Sequence, residues 1–293
     1  MIPEHVMREL RYIEVYTAKR IRNLRVGPYT SPQRGPGFDF DEHQPYRQGD
    51  DVRRIDWNVT ARTGVTHIKK YIEEREMTVM ILVDASASSA TGSVRQSKRE
   101  LAAELAAVLA FSAIRNNDKV GALLFTDGAE KYIRPGKGRM HVLRLISDVL
   151  SYEPARRGTN IERALQHIHR AHSRRAVIFV LSDFMDDGYE RALKITSRKH
   201  DVIAVPIVDG SELALPDLGW IAFEDSESGE VLEVNTSDPK AQESFATVAT
   251  HRVARLRQTF RKTGLDTIEV QTDLPYLKAL MQFFDNRNRR LHP

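Results

Sequence analysis

The stretch Met77–Ser88, MTVMILVDASAS, decides the fold. Residues 79–83 are apolar without alternation, the pattern of a strand buried on both faces, and polar residues return at Asp84, Ser86 and Ser88. Downstream, a helix begins between Ser93 and Ser97. Ser97 and Glu100 stand at capping-box spacing, and the helix runs on through ELAAELAAVLAFSAI. KVGALLFTD (119–127) reads as a second strand, with EKYIRP as a short partner after a turn at Asp127-Gly128. Two helices (139–151 and 160–173), a buried strand (175–184), a helix from Tyr189 to Lys199 and a strand (201–209) follow. Strands alternating with helices predict an α/β protein with a doubly wound, mostly parallel sheet.

The tail follows the scheme less cleanly. GWIAFED and GEVLEVN flank Ser226-Glu227-Ser228 as a predicted hairpin. A long helix is expected over 239–263, a last strand over 266–272 and a last helix from Leu274 to Asn286. Upstream of Met77 the pattern differs. Residues 4–25 have the apolar spacing of an amphipathic helix, residues 27–40 are rich in Gly and Pro, and residues 41–75 are densely charged. The expected division is therefore 1–76, an N-terminal helix and a small β-rich segment packing on the main domain, and 77–293, the main domain.

The 293 residues suffice for about two domains of ~150 residues each. Apolar residues make up 41% and charged residues 29%, which excludes wholesale disorder. The pI near 9.2 rests on 44 Lys and Arg against 40 Asp and Glu, too mild an excess to demand a nucleic acid or a membrane surface. With no cysteine, thiolate metal sites, disulfides and a cysteine nucleophile are excluded. No apolar run approaches the ~20 residues of a membrane span, and the charged N-terminus, without an apolar stretch, is not expected to be a signal peptide. The expected location is the cytoplasm.

Three strand or loop ends carry the candidate chemistry. Asp84, Ser86 and Ser88 start on one side of a strand end, and a chain curling off the sheet lets their oxygens converge. Arg157-Gly158-Thr159-Asn160 precedes a helix and adds a hydroxyl, and Leu181-Ser182-Asp183 closes the next buried strand with a second carboxylate. Ligand crevices of open α/β sheets lie at such ends, and hard oxygen donors suit Mg²⁺. The alternative use of the same residues is helix capping and satisfaction of loop amides.

In its order of motifs, the segment 77–210 resembles the von Willebrand factor A domain, a Rossmann-type fold, with Asp84, Ser86, Ser88, Thr159 and Asp183 at the five positions of its metal-ion-dependent adhesion site. The resemblance implies a Mg²⁺ ion, with Mn²⁺ or Ca²⁺ as substitutes, and one position open to a carboxylate of a partner. Residues 46–57, YRQGDDVRRIDW, with Ala61-Arg62 and residues 70–76, KYIEERE, resemble the signature of the bacterial family called domain of unknown function 58. That resemblance implies a MoxR-type AAA+ ATPase as partner and a chaperone-like role in maturing or assembling other protein complexes, with the client unknown. This member is expected to lack the membrane anchor of some relatives.

In the charged segment, Val52, Ile55 and Trp57 are expected to form one apolar, packed side, with ion pairs outside. Asp50, Asp51 and Arg53 are the alternative, a contact surface for a partner. His167, His169 and His172 read as a solvated helix face, with His167 pointing away from the other two. RPGKGR lacks the Walker pattern, and nucleotide binding is not expected. The leading reading is a non-catalytic, metal-dependent interaction module. Its alternatives are a metal-dependent phosphohydrolase, which would need a second Asp where Ser86 stands, and a non-specific nucleic-acid-binding protein.

Overall fold

A computed structural model describes residues 39–72, 76–90, 96–224 and 231–291. The helix expected over residues 4–25 lies outside the described residues, as does Ser226-Glu227-Ser228 of the predicted hairpin turn. The chain divides into two compact units, Tyr29–Glu76 and a larger one that includes Met77–Pro293.

In the smaller unit β1 (Asp39–Pro45) pairs antiparallel with β2 (His67–Ile72), His43 opposite Lys69. Between them lie a single 3-10 turn, Val52–Arg54, and a helix α1 (Trp57–Thr63). The sequence reading expected strands alone. Seven residues give too little periodicity to read, and the signal for α1 lies in its ends. The Asp56 carboxylate accepts from the amides of Asn58 and Val59, and Gly64, at φ +70°, stops the helix in the left-handed region that glycine enters freely. Ile55 is half-buried and bridges to Ile68, whereas Val52 and Trp57 are 60% and 70% exposed, so the three do not form one equally covered side.

The larger unit is built on β3 (Thr78–Asp84), β4 (Lys119–Phe125), β5 (Ala129–Gly136), β6 (Val177–Ser182) and β7 (Asp201–Val208). The order across the sheet is β7-β6-β3-β4-β5, parallel except for β5, which returns antiparallel beside β4. Gly121 permits that return: a Cβ there would lie 2.8 Å from the carbonyl oxygen of Ile133 and 2.8 Å from Met80 Sδ. The predicted last strand is split into two residue pairs, β10 (Asp266–Thr267) and β11 (Val270–Gln271), both parallel to β7 and in one register with it. The hairpin forms as β8 (Trp220–Glu224) and β9 (Val231–Asn235).

Helices cover both faces. The capping box of Ser97 and Glu100 starts α2 (Lys98–Arg115), whose Leu101, Leu105 and Leu109 are buried. α2 touches β3, β4 and α3 (Arg139–Leu150). On the opposite face Met80, Leu82, Leu123, Phe125, Ile178 and Val180 share a core with Leu165 of α4 (Ile161–Ala171), Leu193 of α5 (Glu190–Lys199) and Phe260 of α6 (Pro239–Thr263). Burying each large apolar side chain there contributes about 1.5–3 kcal/mol. The last helix, α7 (Tyr276–Leu291), runs five residues beyond its predicted end.

The order fixes where a ligand crevice opens. From β3 the chain crosses to β4 on one side and later reaches β6 on the other. The carboxyl ends of β3 and β6 are therefore a topological switch point.

Candidate functional site

Asp84 is the last residue of β3 and only 4% exposed. One of its carboxylate oxygens accepts from the Ser86 amide at 3.0 Å and the other from Ser182 Oγ at 2.6 Å. Burial, and after it the charge of Asp183, push the Asp84 carboxyl up to about 6. The chain then curls into a 3-10 turn, Ala87–Ala90, in which the Ser89 amide and hydroxyl both donate to the Ser86 carbonyl. That turn sets Ser86 Oγ 3.0 Å from Ser88 Oγ.

Thr159 reaches the same edge through its loop. The Ala87 amide donates to the Arg157 carbonyl and the Asn160 amide to the Thr126 carbonyl, which ties residues 157–160 to the ends of β3 and β4. Asn160 also caps α4 by accepting from the Arg163 amide.

Asp183 follows β6, its side chain 3% exposed. Its neighbour Phe184 has φ +55°, a left-handed conformation that costs a bulky residue about 1–2 kcal/mol. Packing holds it there, since the Phe184 ring meets Tyr189 and Phe260. The turn leaves one Asp183 oxygen to the Met185 amide at 3.2 Å and sends the other inward.

What it meets there is absent from the sequence reading. Lys98, the first residue of α2, buries a side chain only 4% exposed and places Nζ 2.8 Å from Asp183 Oδ2 and 2.5 Å from Glu212 Oε1. Burial opposes the ammonium form, but the two carboxylates outweigh it and hold Lys98 above the usual lysine range. Glu212 in turn accepts from Arg252 of α6 at 3.1 Å. A cavity of about 10 Å³, lined by Asp84, Ser89, Lys98, Ser182 and Asp183 among others, has room for about one water. One sequence signal could have marked Lys98. A cation in the first turn of a helix opposes the macrodipole and needs local carboxylates to hold it.

The donor set fits a hard divalent cation. With Mg²⁺–oxygen distances of ~2.0–2.1 Å, adjacent octahedral ligands stand about 2.9 Å apart, close to the separation of the two serine hydroxyls. Two buried carboxylates, Asp84 and Asp183, supply the charge a divalent ion would neutralise. Among the described residues no group of three or more His, Asp or Glu side chains is placed to hold a metal, so any such ion depends on the hydroxyls.

The other sequence candidates lie elsewhere. Asp50 accepts from the Arg47 amide at 2.7 Å and Asp51 from the Arg53 amide at 3.0 Å; both organise turns of the smaller unit. The unit's central carboxylate is Asp56, which the sequence reading did not single out. His43 Nε2 at 2.9 Å, burial working against it, the Val59 amide and Lys69 Nζ at 3.3 Å together hold it well below the usual carboxylate range. His167 stacks by Tyr132, apart from His169 and His172. Those two do not form the solvated face that the sequence predicts. Both stand against His200, and His169 Nδ1, His172 Nε2 and both ring nitrogens of His200 are buried without a hydrogen-bond partner.

The fold and this corner define a doubly wound α/β protein with an oxygen-donor cluster at its switch point. Residues 42–255 match the family described as protein of unknown function DUF58, and the chain belongs to that family. Uncharacterized protein Rv1480 of Mycobacterium tuberculosis is 30% identical over 283 residues, covering 96% of this chain and 89% of the relative. Among solved structures, BatB from Bacteroides thetaiotaomicron is 17% identical over 73% of this chain and 99% of its own, with a TM-score of 0.46. The SpRpn10 VWA domain is 13% identical over 71% and 95%, with a TM-score of 0.39. Scores at this level carry no argument about function; the strand order and the motif order of this chain support the A-domain likeness on their own. Among the described residues no helix is long and apolar enough to cross a membrane.

Proposed function

We propose that the protein is a non-catalytic interaction module that captures an acidic side chain of a partner through a divalent ion, Mg²⁺ first, held by Asp84, Ser86, Ser88, Thr159 and Asp183. The observation that carries this reading is the convergence of two buried carboxylates, from the ends of β3 and β6, beside a pair of serine hydroxyls 3.0 Å apart. Asp84 and Asp183 would neutralise the ion without giving the site a strong negative charge, so a Glu or Asp from a partner is still attracted. Ser86 and Ser88 offer neutral oxygens that hold an ion in place.

The likeness of residues 46–57 and 70–76 to the family signature supports a MoxR-type AAA+ ATPase as the acting partner in assembly of a client complex. In thermal melts, MgCl₂ is expected to raise the Tm of the wild type, and Asp84→Ala to abolish that rise. A wild-type melt unmoved by MgCl₂ and MnCl₂ sinks the metal reading. Affinity capture from native extract, with and without chelator, tests the ATPase: its recovery only without chelator is expected.

A further inference from the structure

Resting on the metal reading above, we propose that Lys98 is a resident competitor of the divalent ion: its ammonium group neutralises Asp183 when no ion is bound and shifts to Glu212 when one enters, so that Lys98 sets the ion concentration at which the module becomes able to bind.

Three observations lead there. First, Asp183 has no idle oxygen, since Oδ1 accepts from the Met185 amide and Oδ2 from Lys98. An ion that draws on this carboxylate, directly or through water, draws on the oxygen that faces the ammonium group. Second, Lys98 has somewhere to go. Glu212 Oε1 is already 2.5 Å away, and Glu212 is fixed from its other oxygen by Arg252. The ammonium group can thus give up Asp183 without being stranded in an apolar interior, a loss that would otherwise be severe. Third, the charges count correctly. Asp84, Asp183 and Glu212 against Lys98 and Arg252 leave one negative charge, and a divalent ion reverses it to one positive. Without Lys98 the corner carries two negative charges, and the same ion brings it to neutrality. The buried ammonium group is therefore a standing electrostatic cost on ion binding, in a corner where solvent screens little.

The experiment is calorimetric titration of the whole chain with MnCl₂, on the wild type, Lys98→Gln, Glu212→Gln and Asp84→Ala. Lys98→Gln is expected to bind Mn²⁺ at least tenfold more tightly than the wild type. Glu212→Gln, which leaves Lys98 with Asp183 alone, is expected to bind at least threefold more weakly. Wild-type binding with Lys98→Gln equal or weaker overturns the inference and leaves the metal reading standing, provided Asp84→Ala is silent. No binding by either the wild type or Lys98→Gln overturns both. Should Lys98→Gln fail to fold, the Glu212→Gln arm decides: binding equal to or tighter than the wild type overturns the inference.

Discussion

The two edges of the parallel sheet bury their polar groups by different means. At the carboxyl edge, Asp84 and Asp183 end adjacent strands, and charge meets charge: Asp183 is held by Lys98, and Lys98 by Glu212. At the amino edge, His200 precedes β7 and is 2% exposed, and the rings of His169 and His172 face it at centroid distances of 5.9 and 6.3 Å. Four buried nitrogens of those rings have no hydrogen-bond partner among the described residues. Burial first, then the charge of Lys199, then His172, His169 and Arg175, push His200 down to about 4, so it stays neutral at physiological pH. A carboxylate cluster can be kept charged inside a protein only by importing a counterion, whereas an imidazole cluster escapes the cost by giving up its protons. The carboxyl edge thereby keeps a buried ion pair, and His200 at the amino edge is uncharged.

The sharpest way to break this contrast is Asp183→Ala. It removes one of the two carboxylates around a buried ammonium group, and urea denaturation is expected to show a loss of about 1.5–3 kcal/mol, since Glu212 still pairs the ammonium group. A loss under about 1 kcal/mol would mean that Lys98 does not depend on Asp183. Acidification gives the next largest effect, with opposite signs at the two edges. Neutral His200 contributes stability that is complete above its unfolded value of 6.5 and is lost as pH falls from there to about 4. Asp84, raised to about 6, works the other way. Its protonated form contributes stability that is complete below 3.8 and is lost as pH rises through 6. Each amounts to at most about 3 kcal/mol. In chelator, His200→Leu should therefore gain on the wild type as pH falls from 6.5 to 4, and Asp84→Asn should lose ground over the same range. Melts of the three proteins at pH 7.5, 6 and 4.5 check both signs; parallel curves would show that neither group titrates differently on folding.

The smallest effect is expected from Lys199→Met. Lys199 Nζ donates to the carbonyls of His169 and His172 at 3.1 and 2.8 Å, closing the end of α4. Losing these bonds should cost about 1–2 kcal/mol, partly offset because a positive charge leaves the imidazole cluster. A variant more stable than the wild type at pH 5 would show that the charge outweighs the bonds.

The scaffold was legible because its signals are strong and local: the unbroken apolar run of β3, the capping box of Ser97 and Glu100, and the alternation that gives β4, β6 and β7. The residues at the strand ends, Asp84, Ser86, Ser88 and Asp183, were legible as a spaced pattern. Lys98 and Glu212 were not, because they lie 114 residues apart in sequence and meet only when α2 is laid against the sheet. His200 was overlooked for the same reason; only the fold sets it against His169 and His172. α1 escaped because seven residues hold too few turns to show a period, and the split of β10 from β11 left no mark in an apparently continuous DTIEVQT.

That split has a consequence for how any other chain can engage the protein. The outer margin beyond β7 offers backbone hydrogen-bonding groups in two short pairs rather than an unbroken rung sequence. An extended peptide seeking to lengthen the sheet on this side finds its template interrupted after two residues, which guards that margin, unlike the opposite one at β5, against fibre-like stacking.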